Sequence, residues 1–411
     1  MYRLNAEGLS AGDRPPIAVA LSGGSDSLAL LHLAKAWADR AGRQLIALTV
    51  DHGLQAGSAA WSRFAAKRAG RLGIRHSTVA WLGDKPSTGL PAAARAARHA
   101  LLADAARSAG ARVVLLAHTA DDLMEAETMR RMGASTPSPR QWSPSPAWPQ
   151  GRGVFLLRPL LGHRRAELRS WLAGVGETWI DDPANDDPRN SRTMARRRLS
   201  DCPVAARPSA ELAPPMDWEG IVQGAGGEFV LPRALVGGQG VEQWRLIGVL
   251  ALCAAGTARP PAASALGRVA ARMTGADFAA SLAGARIEAR GGQVMVCREP
   301  GEQRRGGLRP APLPLGPSIF DGRFLIEARQ PGHSVAPLRG LAAQLPRLER
   351  ERLKAIPAAV RGALPAIISP SDQVFCPVLA VNDAVSARSL GLARLHAALG
   401  ITADERGAAA T

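Results

Sequence analysis

The chain has 411 residues, 46% of them hydrophobic, enough for two or three domains with sizeable cores. Its formal net charge is +16, from 51 basic against 35 acidic residues, which points to a polyanionic partner, nucleic acid ahead of a membrane surface. The four cysteines, Cys202, Cys253, Cys297 and Cys376, are widely spaced with no CxxC pair, which argues against a zinc site or a disulfide scaffold, and no apolar run approaches the roughly 20 residues that cross a bilayer.

Lysine occurs only at Lys35, Lys67, Lys85 and Lys354. A GC-rich coding bias accounts for arginine over lysine but not for the basic surplus. The expectation is a cytoplasmic protein with no membrane partner.

From Pro16 to about Met132, strand and helix signals alternate: apolar runs at Ile17–Leu21, Leu45–Val50, Thr78–Leu82 and Val113–Ala117, and helical spacing over Leu28–Ala38, Trp61–Leu72, Leu90–Ser108 and Asp121–Met132. Such alternation predicts parallel βαβ units, whose ligands sit at the carboxyl ends of the strands. Residues 134–153 are rich in Pro and Ser and predict a loop of disordered type. Order resumes at Val154–Leu161, followed by a helix over Arg164–Gly174 and a polar stretch from Asp181 to Arg198. The first domain therefore spans 1–202, with linkers at 203–215 and 304–317 bounding two C-terminal regions, 216–303 and 318–411. In these, helices are expected within Val241–Met273 and over Arg347–Ile356, strands at Ala285–Arg298, Phe324–Ala328 and Val374–Val381, and fraying after Ile401. The expected class is α/β, a doubly wound parallel-sheet domain followed by smaller, mainly helical and α+β C-terminal regions.

The turn Ser22-Gly23-Gly24-Ser25-Asp26-Ser27 joins the first strand run to the first helix run. Such a turn offers unpaired amides beside the positive end of a helix dipole, and glycines let the backbone approach an anion closely. A carboxylate there, Asp26, makes sense beside a polyphosphate if Mg²⁺ bridges the two. The turn fits neither G-x-x-x-x-G-K-[ST] nor G-x-G-x-x-G.

Ser22–Ser27 resembles the PP-loop of the N-type ATP pyrophosphatases, which cleave ATP between the α- and β-phosphates. With Val50–Leu54 (VDHGL), Ala94–His99 (ARAARH), Ala117–Glu125 (AHTADDLME), Arg158–Leu161 (RPLL) and Trp179–Arg196 (WIDDPANDDPRNSRTMAR), the chain over residues 16–200 is similar to the tRNA(Ile)-lysidine synthetase family. The resemblance implies a PP-loop ATPase domain and a ligase that uses ATP and Mg²⁺ to adenylate C2–O of the wobble cytidine in a CAU-anticodon isoleucine tRNA. The ε-amine of free L-lysine then displaces AMP, giving lysidine. It implies ATP contacts from Ser22, Gly23, Gly24, Ser25, Asp26, Ser27, Asp51 and His52, with Mg²⁺ met by Asp26 through the phosphates. Thr49–His52 is the candidate neighbour of adenine. Catalytic roles fall to Asp26, Arg98 (ahead of Arg95), His118, Asp122 and Glu125. One of Asp121 and Asp122 is expected to cap its helix. Asp122 and Glu125 are the candidates to hold the lysine ammonium, with spacing from His118 favouring Glu125 over Glu127. His118 would orient either an ATP phosphate or the cytidine. Arg158, Arg165, Asn185, Arg192 and Arg196 would shape the RNA path. Arg298, Arg304, Arg305, Arg347, Arg350 and Arg352 would add phosphate contacts, and a homodimer is left open.

Rivals are a tRNA thiolase with the same loop, disfavoured because no cysteine precedes Cys202, and a basic RNA-binding protein with a decayed ATP site. Against the second, Gly23, Gly24, Asp26, His118, Asp122 and Glu125 are all retained. GMP and NAD synthetases share the loop but do not need a large basic C-terminal half.

Overall fold

A computed structural model describes residues 2–4, 14–133, 138–181, 194, 218–238, 240–302 and 308–410. Asn185, Arg192, Arg196, the linker expected at 203–215, and Arg304 and Arg305 lie outside the described residues. The chain divides into two compact units, Met1–Pro214 with Thr402–Thr411, and Pro215–Ile401.

The first unit alternates β1 (Ile17–Ala20), α1 (Ser25–Ala41), β2 (Leu45–Asp51), α2 (Ser58–Arg71), β3 (Arg75–Ala80), α3 (Leu90–Ser108), β4 (Val113–Leu115), α4 (Ala120–Arg131), β5 (Trp142–Pro144), β6 (Phe155–Leu157) and α5 (Arg165–Gly174). The strands form one sheet in the order β3-β2-β1-β4-β6-β5, parallel except for the β5–β6 edge pair. Continuous apolar runs suit strands buried on both faces: Ile17, Ala18 and Val19 are fully buried, as are Val113, Val114 and Leu115. One face packs Ala18, Leu48, Val114 and Leu156 against Leu102, Ala103 and Ala106 of α3. The chain moves outward from β1 to β3, then returns to place β4 on the other side of β1. This reversal opens a crevice at the carboxyl ends of β1 and β4, the usual ligand position in such sheets.

Two expectations for this unit change. Residues 138–153 are not a structureless loop: Trp142 is buried, stacks on Phe155 with ring centroids 5.0 Å apart, and donates its Nε1–H to Thr402 O at 2.7 Å. An aromatic anchor outweighed the turn-rich composition around it. The chain after Ile401 does not fray either. Residues Glu405–Ala410 form a helix, and Glu405 pairs with the buried Arg43 at 2.7 and 3.0 Å. Arg43 also donates to Leu4 O and Pro15 O, so one guanidinium ties together three distant segments.

The second unit holds two cores. In the first, antiparallel strands ordered Val222–Gln223, Phe229–Pro232, Gln293–Arg298, Ala285–Arg290, Phe278–Leu282 pack on helices Val241–Ala255, Ala263–Ala271 and Gly391–Leu399. In the second, a four-stranded and a three-stranded sheet enclose Phe324, Ile326, Leu364 and Ile367. The expected strand pair within Ala285–Arg298 is an antiparallel hairpin. Part of the linker expected at 304–317 is instead structured: Ala311–Pro312 pairs with Ser334–Pro337, and Leu313 enters the second core. The strand expected over Val374–Val381 stops at Phe375 because the buried Cys376 begins a turn.

Candidate active site

The turn after β1 is shaped by its own serines. Ser22 N and Ser22 Oγ both donate to Ser27 Oγ, at 3.2 and 3.1 Å, and the Ser27 hydroxyl donates to Gly24 O at 2.9 Å. This closed network makes Ser27 a brace for the loop. Gly23 has φ of 87°, a conformation costly for any side chain, and an added Cβ would stand 3.0 Å from Ile180 Cδ1. Ile180 also donates its amide to Gly23 O at 3.0 Å. The free amides of the first turn of α1 lie just beyond.

At the end of β2, Asp51 Oδ1 accepts the Gly53 amide at 2.9 Å, a local turn that fixes His52. His52 stands edge-on to Trp81, with its Nδ1 buried without a partner. Thr49 donates to Leu21 O at 2.7 Å and accepts His76 Nε2 at 2.8 Å, tying β2 to the end of β1.

Basic groups gather at the ends of β4 and β6. Arg158 is buried, and its Nε donates to His118 Nδ1 at 3.1 Å. Its Nη1 donates to Arg140 O and Ser143 Oγ, at 2.7 and 3.1 Å. An acceptor at Nδ1 means a neutral His118 with its proton on Nε2. Arg158 therefore holds the His118 ring, and the ordered segment around β5 holds Arg158. Burial, with Arg95 and Arg98 nearby, brings the Arg158 pKa down to about 10, still charged at neutral pH. Burial and the charge of Arg98 likewise lower the pKa of His52. His99 is 3% exposed, neither ring nitrogen has a partner, and burial together with Arg98 and Arg95 pulls its pKa down to about 2. Arg98, His52, His99, Arg158 and His118 thus share one positive neighbourhood.

Acidic groups gather at the starts of α4 and α5. Thr119 caps α4, and Asp122 Oδ2 reaches back to accept Thr119 N at 2.9 Å and its hydroxyl at 3.1 Å. Asp122 is therefore the capping residue of the pair. Asp121 instead accepts Arg165 N at 2.7 Å and Arg164 Nη2 at 3.0 Å, joining the starts of α4 and α5. Burial opposes ionisation of Asp121, but these bonds outweigh it and hold its pKa below the ordinary carboxylate value. Arg165, expected on the RNA path, points inward. Its guanidinium lies 2.9 Å from Asp26, 3.3 Å from Glu125 and 3.6 Å from Asp122. Burial raises the Asp26 pKa above its ordinary value against the pull of Arg165, and the three carboxylates together raise that of Arg165. Glu125 is buried, whereas Glu127 is a surface partner of Arg130 and Arg131.

Sequence reasoning missed Arg169, which donates from Nε to Ser25 Oγ at 3.2 Å and from Nη2 to Asp181 at 2.7 Å. Its spacing of four from Arg165 on α5 was the available signal. It also missed the contact of Ile180 with the loop, for which no periodicity exists. In the second unit, Arg298 is buried, with Nε 2.8 Å from Asp321 Oδ2, so it is a scaffold group, whereas Arg347 is exposed.

A family model described as a PP-loop domain matches residues 5–202. A tRNA(Ile)-lysidine synthase of Caulobacter vibrioides is 45% identical over 407 residues, spanning 97% of this chain and 96% of that protein. The chain belongs to the tRNA(Ile)-lysidine synthase family. Other members are 38% identical (Hyphomonas neptunium, 69% of this chain and 81% of that protein) and 33% identical (Ruegeria pomeroyi, 89% of each). Membership accounts for a PP-loop domain with a basic partner unit, and it does not favour the thiolase or decayed-site readings. The described cysteines agree: burial pushes the Cys253 thiol up to about 11 and those of Cys297 and Cys376 up to about 12, far from reactive thiolates. Among the described residues, no helix is long and apolar enough to cross a membrane, and no three His, Cys, Asp or Glu side chains form a metal cage.

Proposed function

We propose that this protein joins the ε-amine of free lysine to C2 of the wobble cytidine in a CAU-anticodon isoleucine tRNA, using ATP. The supporting observation is the convergence of Asp26, from the phosphate loop, with Asp122 and Glu125, from α4, on a single cation. Phosphate chemistry and amine binding then share one pocket.

The triphosphate lies on the amides of Gly23 to Asp26 at the α1 N-terminus. The cytidine C2 oxygen attacks the α-phosphorus, the bond to the β-phosphate oxygen breaks, and pyrophosphate leaves. Arg98 and the Nε2–H of His118 meet the negative charge that develops, since fixed donors and cations act strongly in a partly dry site. Arg95 is the second cation. The ammonium of lysine sits against Asp122 and Glu125, which take its proton. Its nitrogen then forms a bond to C2, the C2–O bond breaks, and AMP departs. Asp26 is suited to Mg²⁺ through the phosphates: its carboxylate is partly desolvated at the loop and already holds one cation. The ion would neutralise phosphate charge there. Asp51 and Ser27 support the loops that ATP touches. The basic second unit suits the body of the RNA, and Asn185, Arg192 and Arg196 remain candidates for the RNA path.

The test is mass spectrometry of the wobble nucleoside after incubation with ATP, lysine and tRNA. Lysidine should form only on the CAU-anticodon isoleucine tRNA. Asp26→Ala and Glu125→Ala should each abolish incorporation of labelled lysine while leaving tRNA binding within about twofold, because in this reading neither carboxylate contacts the RNA backbone. Retained incorporation in both variants refutes this site.

A further inference from the structure

Lysine and arginine both carry a long side chain with one positive charge, so an acidic pocket alone does not separate them. In this pocket one guanidinium is already built in. Arg165 directs Nε at Asp26, Nη1 at Glu125 and Nη2 at Asp122, and its backbone is pinned by the 2.7 Å bond from its amide to Asp121. Asp122 Oδ2 further serves Thr119 N and Oγ. The Glu125 side chain is 2% exposed and that of Arg165 is 21% exposed, so the contact belongs to the interior of the site and not to a surface meant for RNA phosphate.

We propose that Arg165 is a specificity-determining residue: it fills the planar, forked position of the carboxylate trio, so that only a compact ammonium is accepted beside it. A guanidinium presents its donors in one rigid plane and binds well only where paired oxygens match that plane. Arg165 holds that arrangement. A second guanidinium would find no matching fork left to it. An ammonium is a point charge with three rotatable donors, each of which is satisfied by a single oxygen. The inference rests on the lysine reading of the pocket given above.

Thermal protection of the full-length protein by added lysine, arginine or methylguanidinium reads the discrimination directly. Wild type should be protected by lysine and not by the other two. Arg165→Ala should become protected by arginine and methylguanidinium, with the preference for lysine over arginine falling by about tenfold or more, the worth of one charge-assisted hydrogen bond. If Arg165→Ala fails to fold by circular dichroism, Arg165→Lys decides, because it keeps the charge and vacates the plane; it too should gain protection by methylguanidinium. Variants that bind lysine and reject guanidinium compounds as wild type does overturn the inference alone. A wild type indifferent to lysine overturns the lysine reading itself and this inference with it.

Discussion

His99 shows how much a single side chain can decide. It sits buried and neutral, with both nitrogens unpartnered, among Arg95, Arg98, Arg158 and His118. Its pKa in the folded state, about 2, lies below the ordinary 6.5, so between these values the unfolded chain binds a proton that the folded chain does not. Stability is therefore full above about pH 6.5 and is lost as pH falls, at about 1.4 kcal/mol per unit. His99→Phe should flatten the fall in unfolding free energy between pH 6.5 and 5 by about 2 kcal/mol, measured by urea titration at each pH. An unchanged slope means that His99 finds a partner in solution. At this scale, spacing along α4 made it legible that Asp122 and Glu125 share one face, and both meet Arg165. Motif order could not tell the direction of Arg158 and Arg165. Both read as RNA contacts because arginine beside a site usually faces polyanions, and only tertiary packing turns them inward.

At the scale of elements, the site depends on how strand ends become helix starts. The loop before α1, the capped start of α4 and the start of α5 are locked to one another by Asp121, Arg165 and Arg169. Gly23 is the narrowest point in that arrangement. Gly23→Ala forces a side chain into a left-handed backbone, at about 1–2 kcal/mol, and presses on Ile180 Cδ1. The affinity for ATP should drop by about tenfold, read by calorimetry, and unchanged binding would show that the phosphates sit elsewhere. The alternating βαβ pattern was readable because buried parallel strands are continuous apolar runs. The edge strand at Trp142 was not, since Trp142-Ser143-Pro144 is too short to carry a period. Its order comes from Phe155 on the paired strand and from Thr402, far away in sequence.

For the whole molecule, the pairing of Arg43 with Glu405 matters most. Both side chains are almost fully buried, at 1% and 3% exposed, so removing one partner strands the other charge. Glu405→Ala should destabilise the first unit by about 3–5 kcal/mol in urea unfolding, and Arg43→Met with Glu405→Leu should recover much of it. A loss under about 1 kcal/mol would mean that the pair is open to water in solution. The link between these residues was invisible to sequence reading, because 362 positions separate them and each taken singly looks like a solvated charge. That separation has a consequence during biosynthesis. At roughly 5–20 residues per second, Arg43 emerges about 20–70 s before its acid partner is made. Throughout that interval the nascent ATPase half carries an unmatched cation in its interior. Its final consolidation must wait until translation has passed through the whole of the second unit, so an aborted polypeptide should be an easy substrate for proteolysis.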